Sequence, residues 1–303
     1  MSPINFGLTR SHTKFQKRLY VPDVPTTNLY SHWDMNLLPV SNGTTFLSGT
    51  ISGTNGTNIG AAPNTPSLKI LQGSNGTTTT KPTAVLMNSG KLGLLIPYAF
   101  LGSTANYGYY VQSNSPAFPD GLNYWTYIVV WSTPSINTGF QRPYRFDVPG
   151  IFFYDDSHSS TWWWRYNLNG EVGIANIGTG SEWTSDGSAA TRGYNTQIHV
   201  DIVTQNGNTV TAWSTNLTGT AVQCVTWTNS FHSAGSAGTR VFEIRPVTYT
   251  GYVIYPNIYL YEAATYNTVL NNTTISNTIS ALWNKRSEEH TSELQSQFRI
   301  SYA

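Results

Sequence analysis

The hydrophobic and polar positions near the end of the chain predict a strand followed by a helix. The run from Ile254 to Tyr261 has the length and the β-branched and aromatic content of a strand. After a polar connection, apolar residues recur at the spacing of one helix face: Ile275, Ile279, Leu282 and Trp283. Asn272 or Thr273 is the predicted N-cap, because a short side-chain oxygen can accept a hydrogen bond from a first-turn N–H. We expect the rest of the domain to be organised around this unit.

Earlier segments also read as strands. Tyr124 to Trp131 is apolar on both faces, which is typical of a central strand covered on both sides. Trp162 to Tyr166 and Glu171 to Ile174 flank an Asn-Gly turn, and Ile198 to Thr204 and Asn208 to Trp213 flank another turn that ends in Asn-Gly. Short strands separated by such turns predict a β-sandwich.

The order of these elements resembles the concanavalin A-like, laminin-G-like jelly-roll domains that are common in phage and surface proteins. Leu29 to Met35 stands where that family opens with a strand bearing His and Asp, and Pro82 to Ile96 is similar to its next pair of strands. The closing segment, Gly251 to Lys285, resembles the family's last strand and helix. The resemblance implies an all-β, concanavalin A-like jelly-roll sandwich of two antiparallel sheets with a short C-terminal helix. His32 and Asp34 would share one strand face as a structural pair at a sheet edge, with ligand binding as the alternative.

Three segments are predicted along the chain. Residues 1–27 carry basic residues and prolines and are expected to form an extended arm; residues 28–285 form the jelly-roll domain. Residues 286–303 resemble the translation of a widely used short-read sequencing adapter, which accounts for Arg286 to Ser296 and Ile300 to Ala303 in one frame. We therefore expect this tail to be non-native, the source to be an environmental read set, and the natural C-terminus to be missing.

Composition narrows the function classes. Only 10% of residues are charged and the net charge is +1, so nucleic acid is not an expected partner. The longest apolar run, Leu92 to Phe100, is short and broken by Pro97, so no membrane insertion is expected. Without a signal peptide, we expect synthesis in the host cytoplasm and location in a virion, with an extracellular or cell-surface location as the alternative. The lone Cys224 is expected to be a small buried apolar side chain.

Catalytic motifs are missing from the sequence. A retaining glycosidase needs two carboxylates about 5 Å apart, and the sequence has no E-x-D-x-x-E pattern that would place them on one strand face. Asp155 and Asp156 are adjacent, so a strand would direct them to opposite faces, and Glu171 has no acidic residue two or four positions away. We therefore predict no enzymatic activity, with a glycoside hydrolase or lyase of the same fold as an alternative.

Aromatic residues provide the best candidate for a binding site. Trp162, Trp164 and Tyr166 alternate with Trp163 and Arg165 along one strand, so one set is expected in the core and the other at the surface. Exposed aromatic rings can stack on the C–H faces of sugars; core and edge packing is the alternative. The predicted ligand-binding residues are Trp162, Trp163, Trp164, Arg165, Tyr166, His158, Glu182 and Trp183. Ca²⁺ is the one cofactor considered, with Asp155, Asp156 and Asp186 as its candidate ligands.

These expectations combine into one functional hypothesis. The chain is predicted to be a non-enzymatic carbohydrate-binding or attachment domain of a phage or virus structural protein, such as a tail fibre or a surface decoration. Its expected partners are a glycan or host surface polysaccharide and other virion subunits, including copies of itself. A purely structural virion jelly roll is the first alternative.

Overall fold

Strands dominate the computed structural model of the chain, as expected where β-branched and aromatic residues alternate with Asn and Gly turns. The structure describes residues 24–37, 43, 49–51, 65–72, 81–86, 92–96, 109–113, 124–132, 151–155, 160–166, 172–176, 182–185, 198–207, 209–215, 218–228, 240–244 and 258–300. In chain order the strands are β1 (Leu29–Asp34), β2 (Gly49–Ile51), β3 (Leu68–Gln72), β4 (Thr83–Leu86), β5 (Leu92–Ile96), β6 (Tyr109–Ser113), β7 (Tyr124–Ser132), β8 (Ile151–Asp155), β9 (Ser160–Tyr166), β10 (Val172–Asn176), β11 (Glu182–Ser185), β12 (His199–Asn206), β13 (Thr209–Thr215), β14 (Ala221–Thr228), β15 (Arg240–Ile244) and β16 (Ile258–Tyr266). A 3₁₀ turn (Met35–Leu37) follows β1, and helix α1 spans Asn272–Ile300.

The described strands form two eight-stranded antiparallel sheets. Sheet I has the order β14-β13-β12-β7-β16-β5-β4, and β1 also pairs with β16. Sheet II has the order β11-β10-β9-β8-β15-β6-β3-β2. The predicted all-β jelly-roll sandwich is confirmed, including the hairpins β4–β5, β9–β10 and β12–β13.

The last strand, β16, lies in the middle of sheet I. It pairs with β7 along one edge, while β5 and β1 share its other edge. The strand continues to Tyr266, five residues beyond the predicted end at Tyr261, and so the predicted boundary was wrong. The extension includes Glu262, whose charge is accommodated in the interior because His32 and Lys285 contact its carboxylate. The sequence signal was misleading because a buried charge in a strand depends on distant partners.

One hydrophobic core fills the space between the sheets. Trp33 of sheet I stacks on Phe242 of sheet II, with the ring centroids 4.9 Å apart, and Tyr127 lies 5.9 Å from the same ring. Trp33 also donates a hydrogen bond from Nε1 to the Pro66 carbonyl at 2.7 Å. Phe242 therefore identifies the face of sheet II that points into the sandwich.

A second core lies between the outer face of sheet I and helix α1. The predicted helix face is confirmed, since Ile275, Ile279 and Leu282 are fully buried there and Trp283 packs at the margin. Strand β7 is buried from Trp125 onward, as expected for a strand covered on both sides. Cys224, the one cysteine in the sequence, is buried, as predicted. Among the described residues, no helix has the length and apolar content needed to cross a membrane.

The N-cap of α1 is one residue before Asn272, the first of the two predicted positions. Asn271 Oδ1 accepts a hydrogen bond from the Thr274 amide at 2.9 Å, and the Asn271 carbonyl accepts the first intrahelical bond from the Ile275 amide. Asn271 is therefore the N-cap, and the prediction of Asn272 or Thr273 was wrong. Four consecutive polar residues, Asn-Asn-Thr-Thr, can all serve as caps, so the sequence alone did not fix which one does.

The structure describes residues on both sides of the two predicted domain boundaries, at residues 27/28 and 285/286. Of the predicted arm, residues 1–23 lie outside the described chain, and Val24 is buried in the second core. At the other end, α1 continues past Lys285 to Ile300. Arg286, the first residue of the predicted tail, has only 1% of its surface exposed. The three-segment division of the chain remains a prediction.

Candidate functional site

The predicted aromatic site lies on three neighbouring strands at one edge of sheet II. Strands β9, β10 and β11 form a meander in which β11 is the edge. The register places Trp163 opposite Ala175, and Ala175 opposite Trp183. These three residues therefore form one row across the strands, which we call the tryptophan row.

The register also assigns the alternating residues of β9 to two faces. Phe242 pairs with Phe153, which pairs with Trp162. Directly opposed residues of a sheet share a face, so Trp162 occupies the same face as Phe242, which points into the sandwich. By the same alternation, Trp164 and Tyr166 share that inner face. The tryptophan row and Arg165 occupy the opposite, outer face.

Small residues occupy the outer-face positions of the middle strand. Arg165 lies opposite Gly173, which lies opposite Ser185, in the row next to the tryptophan row. On β10 the outer-face positions are thus Gly173 and Ala175. Neighbouring strands are about 4.8 Å apart, so the backbones of Trp163 and Trp183 are separated by roughly 10 Å. The outer face therefore has two tryptophan positions on either side of a strand with almost no side-chain bulk.

The register separates the predicted site residues into groups. Trp163, Arg165 and Trp183 occupy neighbouring outer-face positions, whereas Trp162, Trp164, Tyr166 and Glu182 belong to the inner-face rows. Asp155 ends β8, opposite Ser160 and Arg240. His158, Asp156 and Asp186 lie outside the described residues, so the calcium site remains a prediction. In the part of the chain that the structure describes, no group of three His, Cys, Asp or Glu residues could hold a metal ion.

A buried cluster of charged side chains lies on the outer face of sheet I. Glu262 Oε1 is 2.7 Å from His32 Nε2, and its Oε2 accepts hydrogen bonds from Lys285 Nζ at 3.1 Å and from Arg286 at 3.3 Å. Asp34 lies directly opposite Glu262 in the register and is 3.7 Å from Lys285 and 3.5 Å from Arg286. We call these five residues the charge cluster. It connects β1, β16 and α1.

The charge cluster keeps Glu262 ionised although it is completely buried. Burial favours the neutral acid, but the hydrogen bond with His32 and the charges of His32, Lys285 and Arg286 outweigh it. These contacts hold the pKa of Glu262 well below its usual range. Burial, with a further contribution from the Glu262 charge, raises the pKa of the neighbouring Tyr266 far above its usual value. The arrangement supports a structural role for the His32–Asp34 pair.

A second buried acid faces the core between the sheets. Asp201 accepts hydrogen bonds from Trp131 Nε1 at 2.7 Å and from Ser214 Oγ at 2.5 Å. His199 stacks on Trp131 with centroids 4.7 Å apart. Burial, and then the negative charge of Asp201, raises the pKa of Tyr127. Both oxygens of Asp201 are engaged by the sandwich itself, which assigns this acid to the architecture.

Sequence reasoning missed the partners in both clusters. His32 and Asp34 were recognised as one strand face, but the signal did not extend to Glu262 or Lys285, which belong to the far end of the chain. Asp201 was recognised only as part of the predicted hairpin strand from Ile198 to Thr204. An acid inside an otherwise apolar strand is the signal that could have identified both Glu262 and Asp201, because such an acid requires a buried partner.

No family model and no curated protein matches the chain. Among solved structures, domain 4 of AbnA, a GH43 extracellular arabinanase from Geobacillus stearothermophilus, in complex with arabinotriose, has a TM-score of 0.48 and 12% identity, covering 83% of this chain and 98% of that one. Trypanosoma rangeli sialidase in complex with sialic acid has a TM-score of 0.49 and 10% identity, covering 88% of this chain and 35% of the sialidase. The binding domain of botulinum neurotoxin serotype D has a TM-score of 0.46 and 10% identity, covering 85% of this chain and 51% of that domain.

The chain thus spans about a third of the sialidase and about half of the neurotoxin domain. With TM-scores below 0.5 and identities near one residue in ten, these likenesses carry no conclusion about a ligand or an activity. We therefore base the proposed function on the chain's own residues.

Proposed function

We propose that this chain is a non-enzymatic carbohydrate-binding domain whose binding surface is the outer face of β9, β10 and β11. The observation that carries the proposal is the register of Trp163, Ala175 and Trp183 in one row. Sugars present flat patches of C–H bonds to which aromatic rings bind, while their hydroxyl groups need polar partners. Two tryptophans on either side of an alanine offer such a surface with room for a sugar ring.

The acids with described side chains support binding without catalysis. Asp34, Asp201 and Glu262 are all buried, and each is engaged by hydrogen bonds or ion pairs inside the domain. A glycosidase requires two carboxyl groups that converge on an open cleft, with one free to exchange a proton with the substrate. None of these three acids meets that requirement. Turnover of laminarin, agarose or alginate that is lost in Glu171→Gln or Glu182→Gln would instead support a hydrolase or lyase.

The biological setting that we propose is attachment of a phage or virus particle to a host glycan or surface polysaccharide. The resemblance of the opening strand, the β4–β5 pair and the closing strand and helix to domains common in phage and surface proteins supports this setting. A tail fibre or surface-decoration protein would use the sandwich as a rigid support for the binding edge. Neighbouring tail, capsid or terminase genes on the source contig would support the virion setting, and an unrelated gene context would contradict it.

A glycan array tests the binding proposal directly. We expect the full chain to bind a defined subset of glycans, and we expect Trp163→Ala or Trp183→Ala to weaken that binding by about tenfold or more. Tyr124→Ala is the matched control, because Tyr124 is a half-exposed aromatic residue on the other sheet. A folded chain that binds no glycan would contradict the proposal and favour the purely structural virion role.

A further inference from the structure

The outer face of β9 to β11 combines one positive charge with two tryptophans. Two neighbouring rows contribute six positions: Trp163, Ala175 and Trp183 in one row, and Arg165, Gly173 and Ser185 in the next. Among these six, Arg165 is the one charged residue. We call the six positions the β10 trough, because the middle strand contributes only Gly173 and Ala175 between the residues of its neighbours.

The dimensions of the β10 trough suit a single sugar ring. The flanking strands are two strand spacings apart, which is roughly 10 Å. A flat ring held between two walls needs about 3.5–4 Å on each side for van der Waals contact. A pyranose therefore fits along β10, and longer side chains at Gly173 or Ala175 would fill the space that it needs.

Among the described positions of sheet II, Glu243 is the acid that shares the outer face with Arg165. Glu243 belongs to the tryptophan row, but Phe152 of β8 lies between it and Trp163. Its backbone is therefore two strand spacings from Trp163, or roughly 10 Å.

Arginine has chemistry that distinguishes between sugars. Its guanidinium group is planar and always charged, and two of its N–H groups match the two oxygens of a carboxylate. Two adjacent hydroxyl groups of a neutral sugar can also accept from this pair of N–H groups, but they carry no charge, so the resulting hydrogen bonds are weaker. An arginine one row away from two tryptophans therefore favours a carboxylated ring over a neutral one.

We propose that the β10 trough selects an acidic sugar, a uronic acid or another carboxylated pyranose, with the carboxylate bound at Arg165 and the ring between the positions of Trp163 and Trp183. This inference rests on the proposed carbohydrate-binding function and adds the class of ligand. A host polysaccharide rich in carboxylated sugars is the corresponding partner.

The test uses an array that carries galacturonate, glucuronate, guluronate and sialylated chains beside neutral and sulfated chains. We expect the full chain to bind carboxylated chains, with affinity that falls as salt is raised from 0.05 to 0.5 M. Isothermal titration with the best-bound chain should show a loss of about ten- to a hundredfold for Arg165→Gln. Arg165→Lys keeps the charge without the planar pair of donors, so we expect an intermediate loss.

The outcomes separate the two proposals. Binding to neutral chains that is unchanged in Arg165→Gln would overturn the acidic-sugar inference and leave carbohydrate binding intact. Preference for sulfated over carboxylated chains would likewise overturn it. Absence of binding to every chain on the array would overturn the proposed function itself. Gly173→Leu provides an independent check, because a long side chain in the trough should reduce binding about as strongly as Arg165→Gln without removing a charge.

Discussion

His32 Nε2 lies 2.7 Å from Glu262 Oε1, and both side chains are completely buried although the residues are 230 positions apart in the sequence. Lys285 and Arg286 contact the other oxygen of Glu262 from the C-terminal helix. The contact therefore joins the first described strand, the central strand β16 and helix α1 at one point. Since β1 and β16 belong to sheet I and α1 packs on it, the charge cluster fixes the positions of β1 and α1 relative to β16.

Replacing Glu262 should destabilise the domain strongly. Glu262→Gln keeps the size and shape of the side chain but removes its charge, so Lys285 and Arg286 lose a buried negative partner. Removing one member of a buried ion pair typically costs about 3–5 kcal/mol, because the remaining charge stays out of water. Urea unfolding followed by circular dichroism should show a loss of at least about 3 kcal/mol. Gln223→Ala, on the exposed face of β14, is the control and should stay within about 0.5 kcal/mol of wild type. A loss below about 1 kcal/mol for Glu262→Gln would show that the cluster contributes little.

Stability should fall with acid through the same carboxylate. The folded chain holds the pKa of Glu262 below its usual range, whereas the unfolded chain takes up a proton near pH 4.3. The unfolded state thus binds more protons in acid, so the contribution of Glu262 is fully present above about pH 5 and declines as pH falls below that. Unfolding free energies measured from pH 7 to pH 3 should drop more steeply in wild type than in Glu262→Gln. Parallel curves for the two proteins would argue against an ionised Glu262 in the fold.

The Trp283 ring of α1 packs against Gly219 in the β13–β14 turn, so the residue at position 219 has to be small. Gly219 has φ = +77°, and a Cβ added there would overlap the Trp283 ring. Gly207 has a comparable φ of +59° with open space around its Cβ position, which makes it a matched control. Gly207→Ala should cost only the left-handed strain of roughly 1–2 kcal/mol, whereas Gly219→Ala should cost distinctly more.

The double variant Gly219→Ala/Trp283→Ala separates strain from clash. Removing the indole ring gives the new methyl group space, so the two substitutions should be less harmful together than the sum of their separate effects. Thermal unfolding of the four proteins provides the cycle. Strict additivity would mean that the ring does not rest against Gly219 in solution.

Asn271 should act as the cap of α1. Asn271→Ala removes the acceptor for the Thr274 amide and should cost about 1 kcal/mol, whereas Asn271→Ser keeps an acceptor and should cost much less. Thermal unfolding of both variants measures the difference. Equal losses in the two variants would indicate that the hydrogen bond does not form.

The sequence predicted those parts of the fold that depend on local periodicity. The helix face of Ile275, Ile279 and Leu282 and the doubly buried β7 follow from spacing alone, and both are observed. The end of β16 was missed because Glu262 looks like a strand terminator until its partners are known. His32, which makes its burial tolerable, comes from the opposite end of the chain, and no local pattern connects the two residues.

For the candidate site, too, the sequence predicted only the local alternation of residues along a strand. A period of two separates Trp162 from Trp163, but it does not say which of them faces the core. That assignment depends on Phe242, which points into the sandwich. Phe242 pairs with Phe153 and Phe153 pairs with Trp162, so all three residues share the inner face. The alignment of Trp163 with Trp183 likewise depends on how β10 pairs with both neighbours. Register between strands is a tertiary property, so these relationships required the structure.

The most direct test of the account is the affinity of the full chain for the best glycan on the array, compared with Trp163→Ala, Trp183→Ala and Tyr124→Ala. Isothermal titration should give at least about tenfold weaker binding for each tryptophan variant and unchanged binding for Tyr124→Ala, with all four proteins folded. Equal affinities for the wild type and both tryptophan variants would contradict a carbohydrate-binding surface on the outer face of β9 to β11.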